Sequence, residues 1–298
     1  MKLFPPLNRH LPGAPLVLGM TLLGSQTFGA DVTYLFNDFS DLSSLQLNGS
    51  AAGVNDGSAD VLRLTGETQS QSGSAFVTSP ITLASDASFS VAFAFRISSV
   101  PSTYGDSDGP GADGLVFVLQ TVANNVGAAG GGIGYHGIAK SVGIEYDTYD
   151  NGSGNGDPDG NHVGINFGGV FGSGPVGSVT PRLNDGTVWY SWIDYDGASD
   201  SLEVRLSQTD TRPVSTLLSH IVGLTTILES SSAYFGFTSG TGGGFGNHDI
   251  LQLQFRNSFN PIERIDEQPS IPEANSWIAA GFIGSLAVWS FARRQRNR

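Results

Sequence analysis

The stretch VGIEYDTYDNGSGNGDPDGNHVGIN, residues 142–166, begins as a strand and runs into a loop of acids, asparagines and glycines. It then returns through His162 to the strand-like VGIN. It carries Glu145, Asp147, Asp150, Asp157 and Asp159, and no Lys or Arg lies between Lys140 and Arg182. Side chains alternate along a strand. Val142, Ile144, Tyr146 and Thr148 therefore share one face, and Gly143, Glu145, Asp147 and Tyr149 share the other. The first face suits a core. The second sets two carboxylates two residues apart, where they repel unless a cation lies between them.

Two readings stay open from these residues alone. One is a solvated acidic loop. The other is a metal site: Ca²⁺ takes six to eight oxygens from carboxylates, amides, carbonyls and water, and carboxylates with one imidazole suit Mn²⁺ or a similar transition ion. An EF-hand is excluded. Counting from Asp157, His162 falls where the loop needs glycine, and Gly168 falls where it needs glutamate.

The rest of the chain reads as all-β. Of 298 residues, 41 are glycine, and short apolar runs are separated by turn formers. Strands are expected at VLRLTG, FSVAFAFRI, GLVFVLQ, NHVGINF, WYSWIDYD, SLEVRLS, AYFGFTS and DILQLQFR, with a hairpin at WYSWIDYD-GASD-SLEVRLS. FSVAFAFRI and GLVFVLQ are apolar on both faces, as inner strands would be. The spacing suits two packed antiparallel sheets in a jelly-roll sandwich. The net charge of −13 repels phosphate backbones and argues against nucleic-acid binding. The absence of cysteine excludes disulfides and thiolate chemistry. There is no GxSxG elbow and no GxxxxGK[ST] loop.

The two ends read as addresses. Lys2 and Arg9, the apolar run APLVLGMTLLG and the small residues before Asp31 predict a signal peptide over residues 1–30. The folded domain is then expected over 31–259, with a Pro-rich linker at 260–272. Residues 273–298 hold an apolar segment, Trp277 to Ala292, followed by Arg293, Arg294, Arg296 and Arg298. That segment is at the short end of what crosses a bilayer. The order Pro272-Glu273, apolar helix, Arg cluster resembles the PEP-CTERM sorting signal of Gram-negative bacteria, with Ala274 where that signal has a second proline. This resemblance implies an exosortase-type processing enzyme as partner, export to the extracellular space or cell surface, and membrane contact only through the tail.

Several segments, in order, resemble the legume-type (L-type) lectins. They are YLFNDFSDLSSLQLNGSA, SGSAFVTSPI, GADGLVFVLQ, GGGIGYHG, IEYDTYDN with DPDGNHVGIN, SWIDYDGASDSLEVRLS and FGFTSGTGGGFGNHDILQLQF, together covering most of residues 33–257. The resemblance implies a metal-dependent, non-catalytic glycan-binding protein of concanavalin-like fold, holding one Ca²⁺ and one Mn²⁺. Glu145, Asp147, Asp157 and His162 correspond to the Mn²⁺ ligands. Asp147, the Tyr149 carbonyl, Asn151 and Asp157 correspond to the Ca²⁺ ligands. Asp113, Asn151, a backbone N–H near Gly132 and the ring of Tyr149 correspond to the sugar site. The resemblance also implies a cis Ala112–Asp113 peptide. The loop 240–249 would rim the pocket, with Gly244 and Phe245 at its tip. His248 is expected to seat the strand that follows, and His136 and His220 to be structural or surface residues.

Two other functions compete. A jelly-roll glycosidase would use a Glu-x-Asp-x-x-Glu strand motif; here Glu145 and Asp147 are followed by Asp150, a shorter acid than that motif has. A matrix or adhesion protein would keep the scaffold with a degenerate sugar site, which the intact Asp113 and Asn151 oppose.

Overall fold

In the computed structural model the described residues are 33–99, 103–127 and 130–265. The expected signal peptide and the C-terminal apolar segment lie outside them. Among the described residues, no helix is long and apolar enough to cross a membrane.

Two eight-stranded antiparallel sheets face each other. The first runs Val176–Ser178, His162–Phe167, Ser141–Asp147, Gly114–Gln120, Ser232–Gly240, Ser72–Val77, Leu45–Gly49, with Ile81–Thr82 also paired to Ser232–Gly240. The second runs Leu218–Ile221, Ser201–Ser207, Asp185–Asp196, Phe89–Ser99, Gly246–Arg256, Asp60–Thr65, Ala52–Asn55, with Thr33–Phe36 on Gly246–Arg256. The two runs read as apolar on both faces, at Phe89 and at Gly114, are the middle strands of their sheets. The expected hairpin is present, pairing Tyr190–Asp196 with Ser201–Ser207.

Aromatic rings fill the space between the sheets. Phe93 of the second sheet meets Phe237 and Tyr146 of the first edge-on, with ring centroids 5.0 and 5.6 Å apart. Phe235 and Phe255 stack at 4.0 Å. Such pairs add to the area they bury. Val142, Ile144 and Tyr146 point into this core, as their alternation predicts.

The opposite face of Ser141–Asp147 is also buried, and the alternation alone does not reveal that. The turn 130–138 folds over it, and Ile133, Tyr135 and Ile138 pack with Phe76, Val116 and Val118 into a second cluster. Gly143 is needed there, since a Cβ would come within 2.7 Å of the Tyr135 ring. Glu145 and Asp147 are thus only 3% exposed each.

Part of the expected linker is packed. Ile262 and Ile265 are buried against Ala92, Ala94 and Trp192 on the outer face of the second sheet. The Arg256 guanidinium donates to the carbonyl of Asn260 at 3.0 Å. Residues 260–265 therefore belong to the folded unit. The three prolines and polar residues that mark 260–272 as a linker hide two isoleucines that pack on Trp192.

Candidate metal centre and sugar cleft

Strand register assembles the site. Asp147 lies opposite His162 on one side and Gly114 on the other, and Gly114 also pairs with Gly240. Four neighbouring strands thus have ends together. Asp113, the loop after Asp147 and the loop after Gly240 converge at that end. Backbone bonds hold them: Asp113 N–H donates to Gly240 O at 3.2 Å, and Thr148 N–H donates to Asp113 O at 3.1 Å. The Ala112–Asp113 peptide is cis, as the resemblance implies.

Glu145, Asp147 and His162 bring ligand atoms within 4.8 Å of one another. His162 Nε2 is 3.7 Å from Glu145 Oε1 and 3.8 Å from Asp157 Oδ1. His162 Nδ1 lies 2.8 Å from the carbonyl of Asp159. A carbonyl only accepts, so Nδ1 carries the proton and Nε2 presents a bare lone pair. That atom is buried with no hydrogen-bond partner. A lone pair facing carboxylates is unfavourable without a cation, and an imidazole whose far nitrogen is held by a carbonyl is oriented as metal-ligating histidines are. The donor set fits the expected ions.

The carboxylates agree. Burial pushes Glu145 up to about 7. Asp147 is held well above the usual carboxylate range by burial and then by the charge of Glu145. Asp157 is also raised, by burial first. Among the described residues no Arg or Lys pairs with these groups, so a divalent ion would keep them ionised at neutral pH. The backbone orients two of them: Asp147 Oδ1 accepts from Tyr149 N–H and Asp157 Oδ2 from Asn151 N–H, each at 2.7 Å. These same bonds fold the loop so that Tyr149 and Asn151 reach the neighbouring cleft.

That cleft, of about 400 Å³, is lined by Tyr104, Asp113, Gly131, Tyr149, Asn151, Gly242, Gly243 and Gly244. Asp113 Oδ2 is buried without a partner, and burial pushes the carboxyl up to about 7. An acceptor, an amide and a phenol ring face one space, which is the equipment for a vicinal hydroxyl pair and a C–H face.

The structure brings Asp113, Tyr149, Asn151 and Gly244 together as expected. It places Gly131, rather than Gly132, against Asn151: a Cβ at 131 would stand 2.7 Å from Asn151 Oδ1. The Gly132 carbonyl is occupied inside the turn, accepting from Tyr135 N–H and His136 N–H. Phe245 is half-buried outside the cleft lining, its N–H donating to Thr103 Oγ1 at 3.0 Å. A run of consecutive glycines gives no sequence cue to which member faces a ligand. Tyr104 was missed, because nothing local ties it to Asp113. His248 is fully buried on Thr65 Oγ1 at 2.7 Å, consistent with seating its strand. His136 is exposed and His220 half-buried, each near a phenylalanine ring.

An all-β jelly-roll sandwich with an acid–histidine cluster beneath a shallow polar cleft is the architecture of a lectin. The match at the level of sequence covers most of the chain, residues 31–271 fitting the legume lectin domain. The chain belongs to that family. The L-type lectin-domain containing receptor kinase VIII.2 of Arabidopsis thaliana is 31% identical over 230 residues, which is 73% of this chain and 31% of that protein. This chain thus spans about a third of that relative's length. Basic winged bean lectin, in a crystal structure with Tn-antigen, superposes with a TM-score of 0.65 at 26% identity, over 76% of this chain and 98% of that one. The metal-free form of lectin I-B4 from Griffonia simplicifolia superposes with a TM-score of 0.58 at 29% identity, over 75% and 98%.

Proposed function

We propose that this chain is a metal-dependent carbohydrate-binding protein without catalysis. In this reading Glu145, Asp147, Asp157 and His162 hold a Mn²⁺-type ion. Asp147, the Tyr149 carbonyl, Asn151 and Asp157 hold Ca²⁺. The ions keep the carboxylates charged and fix the loop; the protein's own groups do the recognition. Asp113 accepts from sugar hydroxyls, Asn151 donates to them, and Tyr149 stacks on the ring. One observation carries the reading: the unpartnered, buried Asp113 carboxylate opens into a cleft shared with Asn151 and Tyr149. Relatives crystallised with sugars support it. The glycosidase reading is less well supported, since Glu145 is buried against His162 while Asp150 is exposed.

The export and sorting-signal readings of residues 1–30 and 273–298 rest on sequence. The curated relatives compared are plant proteins, so the bacterial surface location is likewise a proposal. Single-site binding at a shallow cleft is expected near ~1 mM, or ~−4 kcal/mol, so adhesion would depend on many copies.

The test is a glycan array with the purified chain loaded with Ca²⁺ and Mn²⁺, beside the chelated protein and Asp113→Asn. Binding by the loaded chain alone is the expected result. Binding that survives chelation and the substitution would remove the proposal.

A further inference from the structure

Tyr104 is 73% exposed, yet its ring stands at the cleft that contains Asp113. Two glycines connect the two groups. A Cβ on Gly242 would lie 3.5 Å from Asp113 Oδ2, and a Cβ on Gly243 would lie 3.7 Å from the Tyr104 ring. One chain step, ~3.8 Å between Cα atoms, thus carries the cleft floor from the carboxylate to the ring. No side chain on that floor intervenes. Any residue larger than glycine at 243 would stand against the ring.

The ring is mounted on a held backbone. The strands Gly105–Asp106 and Gly109–Pro110 pair as a small hairpin, and Tyr104 O accepts from Gly111 N–H at 2.9 Å. The hairpin is clasped to the loop of the candidate metal centre: Asp106 Oδ2 accepts from Asp150 N–H at 2.7 Å. Gly160 makes room for that carboxylate, since a Cβ there would meet Asp106 Oδ2 at 1.8 Å. A tyrosine offers an apolar plate and one hydroxyl at low entropic cost. The volume of about 400 Å³ falls in the range of sites for drug-sized ligands, ~300–1,000 Å³, more than one pyranose ring needs.

We propose that Tyr104 is a second stacking plate, and that the cleft takes an oligosaccharide with one residue on Asp113, Asn151 and Tyr149 and the next on Tyr104. This rests on the sugar-binding reading above. Tyr104 then sets selectivity for chain length and linkage, while the Asp113 end sets the terminal sugar. The face of the Tyr104 ring, rather than its hydroxyl, carries most of the effect.

The experiment titrates the full chain, loaded with Ca²⁺ and Mn²⁺, with methyl glycosides of galactose, mannose, glucose, fucose and N-acetylgalactosamine. It does the same with di- and trisaccharides ending in each. Wild type, Tyr104→Ala, Tyr104→Phe and Asp113→Asn are compared, with melting curves to check folding. The wild type is expected to bind its preferred oligosaccharide about three- to ten-fold more tightly than the matching methyl glycoside. Tyr104→Ala should erase that advantage, weakening the oligosaccharide several-fold more than the methyl glycoside, and Tyr104→Phe should keep it. If Asp113→Asn loses all binding but Tyr104→Ala keeps the advantage, or lowers both ligands equally, the second plate is refuted and the sugar site stands. If the wild type binds none of the sugars, or Asp113→Asn binds like wild type, the sugar-binding reading falls and takes this inference with it.

Discussion

The Glu145 carboxylate occupies the space that a side chain at residue 164 would need: a Cβ on Gly164 would come within 2.1 Å of Glu145 Oε1. The two residues face each other across paired strands. The acid can lie flat over the sheet toward His162 because its partner strand has glycine at that point. Gly164→Ala should therefore push Glu145 away from His162. Overpacking of this kind costs about 1–3 kcal/mol. Melting curves should show a loss that is larger with Ca²⁺ and Mn²⁺ present than without them. An equal loss in both conditions would mean that Gly164 serves the strand and not the carboxylate.

His162→Gln tests the bare Nε2. The substitution removes the imidazole that the Asp159 carbonyl orients. Affinity for Mn²⁺ should fall by at least about ten- to hundred-fold, the range seen even for groups that only orient a ligand. Metal content after dialysis, by mass spectrometry, reads the result. Full retention of a transition ion would place that ion elsewhere.

The pH dependence has opposite signs with and without metal. In the metal-free protein, Glu145 is raised from 4.5 to about 7 and Asp113 from 3.8 to about 7, both by burial. A raised carboxyl keeps its proton in the folded state while the unfolded chain releases it, so stability falls as pH rises from about 4 to 7. His248, lowered from 6.5 to about 4 by burial, works the other way and loses stability as pH falls through that window. The two acids outweigh the one histidine. With Asp147 also raised, metal-free protein should be less stable at pH 7 than at pH 5. Loaded protein should show the reverse, because ligation needs ionised carboxylates and releases protons. Denaturant midpoints at both pH values, with and without metal, check this. A metal-free protein more stable at pH 7 would contradict it.

Ile262 seals the outer face of the second sheet over Trp192. Ile262→Ala should cost about 2–5 kcal/mol. A chain ending at residue 259 should lose at least as much. Urea midpoints measure both. An unchanged midpoint in the shortened chain would return residues 260–265 to linker status.

Much of this was legible locally. Alternation from Val142 to Tyr149 assigned the core face, because a strand's period of two is written in consecutive residues. The same alternation put Glu145 and Asp147 side by side, and the lack of Lys and Arg from 141 to 181 left a cation or a solvated acidic loop as the two ways to accommodate their charge. The middle strands at Phe89 and Gly114 could be read because a run apolar on both faces has only one place in a sandwich.

Other features were decided by approach in three dimensions. The burial of the acid face depends on the turn 130–138 lying over it, and nothing in that turn's sequence names its partner. Gly131 rather than Gly132 meets Asn151, and Gly164 rather than Gly168 makes room for Glu145, because strand register and loop path choose among glycines that look alike in sequence. Tyr104 shares a cleft with Asp113 only because the loop 242–244 runs past both, and Ile262 finds Trp192 across 70 residues of chain. Sequence by itself determined which side chains share a face and which charges need neutralising, since both follow from neighbours along the chain. Tertiary structure decided which loops close over that face, since that depends on packing between segments far apart in sequence.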